Sequence, residues 1–106
     1  MIIVHLKNIK KLQNSFKPEE NHVLKEINKA IDILENNPFS GIQIPKRQIP
    51  KEYNKIFRPD NFWKYDLSKS WRLRYWISSD DKGLITLLID RMNHKQYNKL
   101  FGYKSS

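Results

Sequence analysis

Lys64, Arg72 and Arg91, followed closely by His94 and Tyr97, are the side chains whose types and spacing suit phosphate chemistry. Guanidinium groups stay protonated and present parallel donors that match two phosphate oxygens. Histidine is the side chain whose unperturbed pKa lies nearest neutrality, so His94 is the natural group to move a proton. Tyr97 or Lys64 would serve as a base at pH 7 only with a depressed pKa. Lys46, Arg47, Lys51 and Arg74 add positive charge that suits contact with a nucleic-acid backbone.

The elements that must position these groups are legible between residues 62 and 103. Residues 62–67 alternate, with Trp63, Tyr65 and Leu67 on one face and Phe62, Lys64 and Asp66 on the other. Residues 71–77 alternate too, setting Leu73, Tyr75 and Ile77 against Arg72, Arg74 and Trp76. Period-2 patterns rich in aromatic and β-branched residues predict half-buried strands. Residues 84–89, LITLLI, are continuously apolar, as in a central strand covered on both faces. Short polar segments at 68–70 and 78–83 predict adjacent antiparallel pairing. The expected result is a three-stranded meander and a short C-terminal helix. Lys64 and Arg72 would share one face, with Arg91, His94 and Tyr97 just past the last strand.

Bulk properties narrow the class. With 106 residues the chain is expected to form a single domain, 1–106, around one core. It has no cysteine, which removes disulfides and thiolate metal sites, and its three scattered histidines lack metal-ligand spacing. No cofactor is expected. The opening run MIIVHL is too short for a signal peptide's apolar region, and no stretch approaches the roughly 20 apolar residues of a membrane span, so a cytoplasmic location is expected. The net charge is +9, of which residues 1–41 carry only +1 and residues 42–106 the remaining +8. That asymmetry points to an anionic partner, nucleic acid first. The alternative is lysine that merely solvates the surface.

Upstream, residues 1–6 fit an edge strand followed by a short helix, since Ile2, Ile3 and Val4 are β-branched; the first turn of a helix is the competing reading. Pro18 with Glu19 and Glu20 is a strong helix start, and Leu24, Ile27, Ile31 and Leu34 recur at helical spacing. Asn37-Pro38 should end that helix. Residues 39–58 form a long, basic, proline-containing connection, with Tyr53, Ile56 and Phe57 spaced as a short helical turn. An α+β fold follows, with N-terminal helices packed on an antiparallel sheet. Ile27, Ile31, Leu34, Trp63, Tyr65, Leu73, Tyr75, Leu87 and Ile89 are expected in one core.

The combination of W-K-Y-x-L at 63–67, W-R-L-x-Y at 71–75 and L-I-D-R-M-N-H-K-x-Y at 88–97 resembles the RelE/ParE superfamily of toxin–antitoxin toxins. I-L-x-x-N-P-x-x-G at 33–41 and F-G-Y at 101–103 are similar to one branch of it. The resemblance implies a RelE-like toxin of a type II module, held inactive in a hetero-oligomer by a cognate antitoxin. RelE-type members cut mRNA on the ribosome without metal, and ParE-type members inhibit DNA gyrase without being enzymes. Lys64, Arg72, Arg91 and Tyr97 match positions of the ribonuclease pattern. Asp66 departs from it, because RelE proper carries a second lysine there.

Cleavage of RNA by its own 2′-hydroxyl needs a base, an acid, and cations for the charge that develops on phosphorus. Arg72 and Arg91 suit the charge, and losing one such donor costs roughly 3–4 kcal/mol by analogy with oxyanion-hole deletions. Each residue also has a structural alternative. Arg72 can pair with Asp66 or Asp90, Lys64 can guard a strand edge, and Tyr97 can pack its ring under the sheet. A ribosome-dependent endoribonuclease is the leading expectation, and a gyrase inhibitor is the alternative.

Overall fold

The computed structural model describes residues 3–49, 61–68 and 71–93. Among them the chain runs β1 (Val4–Lys7), α1 (Ile9–Asn14), α2 (Asn21–Asn36), β2 (Ile42–Gln43), β3 (Phe62–Asp66), β4 (Trp71–Asp80) and β5 (Gly83–Asn93). The five strands form one sheet in the order β1-β5-β4-β3-β2. The expected C-terminal helix and the turn at Tyr53, Ile56 and Phe57 lie outside the described residues.

Helix α2 forms where its apolar spacing predicts. Pro18 opens a single 3-10 turn before it, and the Lys17 N–H donates to Glu20 Oε1 at 2.9 Å. Val23, Ile27, Ala30, Ile31 and Leu34 are its buried residues. They recur every three or four positions, so one stripe packs on the sheet. Asn37 is extended ahead of Pro38, and its side chain accepts from the Phe39 N–H at 3.0 Å.

The meander pairs as predicted, β3 with β4 and β4 with β5, both antiparallel. Its last two strands are longer than the alternation suggested and leave only Asp81 and Lys82 between them. The sheet as a whole is mixed rather than antiparallel, because β1 lies parallel to β5. Helices and three other strands separate β1 from its partner in sequence, so no tight hairpin constrains its direction. Gly83 makes the junction possible. Its φ is 141°, the Leu84 N–H donates to the Ile3 carbonyl at 2.8 Å, and a Cβ on residue 83 would collide with that carbonyl.

The single expected core is two. Leu12, the α2 stripe, Leu73, Tyr75, Ile77 and Leu88 form the larger one between helices and sheet, with Trp63 and Tyr65 packed against it. Ile44, Ile49 and Phe62 form a smaller one on the opposite face with Trp76, Ile89 and Met92. Ile89 therefore leaves the expected core, and Leu87 faces Trp76 on that second side. The cause is a strap, residues 44–49, that folds back over the sheet's outer face and needs apolar groups beneath it.

Candidate functional site: a cation row on the outer face of the sheet

Residues directly opposite in paired strands share a face. Asp66 faces Arg72, Lys64 faces Arg74, and Arg74 faces Asp90, all on the outer face away from α2. The structure thus brings Lys64, Arg72 and Arg74 together, as alternation predicts, and it assigns them different surroundings.

Arg74 is committed to the fold. Its side chain is only 3% exposed, and its Nε and Nη2 donate to the two oxygens of Asp90 at 2.7 and 2.6 Å. Removing one partner of such a covered, bidentate pair strands a charge and costs several kcal/mol. Arg74 is therefore part of the sheet's second face rather than an outward contact for nucleic acid.

Lys64 and Arg72 converge on one carboxylate oxygen instead. Asp66 Oδ1 is 3.6 Å from Lys64 Nζ and 3.4 Å from Arg72 Nε. The two cations are 13% and 16% exposed, whereas Asp66 is 52% exposed. Both contacts are longer than good charge-assisted hydrogen bonds, so water or another anion can compete for them. Lys46 and Arg47 are exposed on the single turn of 3-10 helix, Lys46–Gln48, in the strap. The arrangement can hold an oxyanion: a guanidinium and an ammonium within reach of one oxygen, with further cations at the rim.

Arg91 does not join them. It lies inside β5 rather than past it, opposite Leu73 on the helix-facing side. A register shift between Arg74 and Tyr75 moves the pairing from Asp90 to Leu88 and leaves Ile89 as an extra residue. That bulge reverses the parity of everything after it, bringing Asp90 to Arg74 and turning Arg91 towards the helices. There Arg91 Nη2 donates to Glu20 Oε1 at 2.7 Å and to the Ser15 carbonyl at 3.1 Å, and Nη1 donates to Ser15 Oγ at 2.9 Å. Its guanidinium carbon also lies 4.2 Å from the centroid of the Phe16 ring. The Lys17 N–H, with Arg91 beside it, holds the Glu20 carboxyl below its ordinary pKa. His94, Tyr97 and Lys51 lie outside the described residues.

No family model, curated protein or solved structure matches this chain.

Two features of the site escape sequence reasoning. Parallel pairing sets Lys7 opposite Leu87, which puts an exposed lysine of β1 on the same outer face. Only the pairing, between residues 80 apart, could have shown it. The partners of Arg91 lie 71 and 76 residues away and carry no local signal. A depression of about 560 Å³, walled by Phe39, Asn61, Trp76, Ser78 and Ser79 among others, has no charged lining residue among the described ones. Chemistry on an anion therefore points to the cation row. Among the described residues no three His, Asp or Glu side chains gather as a metal site would require.

Proposed function

We infer that the chain is a RelE/ParE-type toxin of a type II toxin–antitoxin module and that its outer sheet face binds RNA phosphate during cleavage of ribosome-bound mRNA. The observation that supports the reading is the convergence of Lys64 and Arg72 on Asp66, on the sheet face crossed by the strap that carries the exposed Lys46 and Arg47. Arg72 would take two phosphate oxygens, and Lys64 would add charge as phosphorane character develops. His94 and Tyr97 are the proton-transfer groups this reading requires. A cognate antitoxin would cover the basic face, and the cytoplasm is where ribosome, mRNA and antitoxin meet. No helix among the described residues is long and apolar enough to cross a membrane.

The divided core departs from the single core expected with the resemblance, so the reading leans on the cations and the motifs. A second reading, a non-enzymatic gyrase inhibitor, is favoured by Arg74 and Arg91 being occupied within the fold, which leaves fewer groups for catalysis. One scaffold can host both activities. Purified full-length protein in a cell-free translation system, assayed together for mRNA cleavage and DNA supercoiling, separates them. Cleaved mRNA with normal supercoiling is expected. Intact mRNA with inhibited gyrase would replace the enzyme reading with the second one.

A further inference from the structure

A depression of about 260 Å³ lies between α2 and the end of β3, where Tyr65 and Leu67 face the helical layer. It exists because the edge strand is short. β2 covers β3 only at Trp63 and Lys64, and the chain before Gly41 turns away through Pro38–Ser40. The Ile44 N–H donates to the Phe62 carbonyl, so Phe62 and every second residue after it aim main-chain groups at that edge. β2 stops short of Asp66, which leaves the Asp66 N–H and carbonyl at an open edge. The next outward donor, the Ser68 N–H, is met by Glu26 Oε1 at 3.0 Å, and Ser68 Oγ donates to Oε2 at 2.6 Å.

The lining joins an apolar floor to two opposite charges. Ile33 stands off the buried stripe of α2 and is 41% exposed, with Ala30 and Leu67 beside it in the groove. Glu26 and Lys29 are one helical turn apart on the rim, with Cβ atoms about 5–6 Å apart. The Ser68 hydroxyl and N–H hold the Glu26 carboxyl below its ordinary pKa, so it is charged at neutral pH. Lys29 is exposed and forms no ion pair among the described residues. A simple anion is repelled by Glu26 and a simple cation by Lys29. A ligand carrying both charges on one carbon satisfies the two together. The volume falls just below the roughly 300–1,000 Å³ of drug-sized ligand sites, so the occupant is small.

We propose that this groove binds a free α-amino acid with a branched apolar side chain, its carboxylate on Lys29, its ammonium on Glu26 and its side chain over Ala30 and Ile33. The site is separate from the cation row, and neither reading depends on the other.

The test is two-dimensional amide NMR of the full chain at neutral pH, titrated separately with L-leucine, N-acetyl-leucine, leucinamide and glycine. Leucine should shift the signals of Lys29, Ile33 and Ser68 saturably. The other three lack the ammonium, the carboxylate and the side chain in turn, and each should bind roughly tenfold more weakly. Lys29→Ala, at an exposed helical position, should keep the fold and weaken leucine binding by roughly tenfold, and Lys29→Arg should retain most of it. Ile33→Ser should reduce the difference between leucine and glycine. No saturable shift with leucine, equal binding of the four probes, or unchanged binding in Lys29→Ala overturns the proposal. Groove signals that move with protein concentration and ignore leucine would assign the groove to a second copy of the chain, and overturn it as well.

Discussion

Replacing Arg91 and Arg72 in turn by alanine separates an arginine that holds the fold from one proposed to hold a ligand. Arg91 is 16% exposed and Glu20 17% exposed, and the pair is joined at 2.7 Å with two further bonds to Ser15. Hydrogen bonds to charged groups contribute roughly 1.5–3 kcal/mol, and a guanidinium over an aromatic ring about 0.5–1 kcal/mol where partly exposed. Some of this is lost to solvent screening, so Arg91→Ala should cost about 2–3 kcal/mol. For a domain of this size that lowers Tm by roughly 10–20 °C. Arg72 meets a half-exposed carboxylate at 3.4 Å, a contact worth about 1 kcal/mol or less. Loss of that contact alone shifts Tm by only a few degrees, and Arg72→Ala should lose most RNA binding.

Thermal unfolding followed by circular dichroism reads the first quantity, and fluorescence anisotropy with a labelled RNA strand the second. A double-mutant cycle with Glu20→Gln should return a coupling of about 1–2 kcal/mol for Arg91, since the two residues are in direct contact. The assignment of Arg91 to the helix hairpin fails if Arg91→Ala melts like wild type and loses RNA binding. An Arg72→Ala variant that unfolds as readily as Arg91→Ala would show equally that Arg72 serves the fold.

Further outcomes follow from the close contacts between the helical layer and the sheet. Tyr75 is buried, donates to the Pro38 carbonyl at 2.8 Å and accepts from the Gly41 N–H at 3.1 Å, and burial pushes its phenol up to about 12; Tyr75→Phe should cost roughly 1–3 kcal/mol in urea unfolding. Gly41→Ala should cost more, because its Cβ would strike the Lys64 carbonyl and the Tyr75 hydroxyl. Acid should also loosen the fold: the Ser68 hydroxyl and N–H hold the Glu26 carboxyl below its ordinary 4.5, and the Lys17 N–H does the same for Glu20. Lowered carboxylate pKa values contribute stability above pH 4.5 that is lost as pH falls through the folded-state values, so unfolding should steepen there, and Glu26→Gln should show a smaller acid-side loss.

The sequence made the local features plain and left the non-local ones hidden, and the candidate site depends on both. Helix α2 was legible because five buried residues repeat at its own period between Pro18 and Pro38. The two faces of β3 and β4 were legible because alternation is a property of adjacent residues. The parallel placement of β1 was not, since nothing near Val4 refers to Leu84, its partner 80 residues on. The strap was hidden for another reason: Ile44 and Ile49 look like isolated apolar residues in a basic loop until Phe62 and Trp76 are seen beneath them.

The bulge at Ile89 had the largest consequence for the candidate site. Within L-L-I, no residue type marks which one is extra, yet that choice decides which face receives Arg91. Without it, strict alternation would set Arg91 on the outer face with Arg72 and send Asp90 towards the helices, leaving Arg74 without its bidentate partner. One inserted residue thus removes an arginine from the cation row and neutralises another within it. Among the 14 lysines and arginines of residues 42–106, Arg74 is paired with Asp90 and Arg91 with Glu20. What the outer face can offer an anion among the described residues is Lys64 and Arg72 behind Asp66, with Lys7, Lys46 and Arg47 exposed. Net charge would draw in an anion from a distance, and the pairing register determines which cations it could reach.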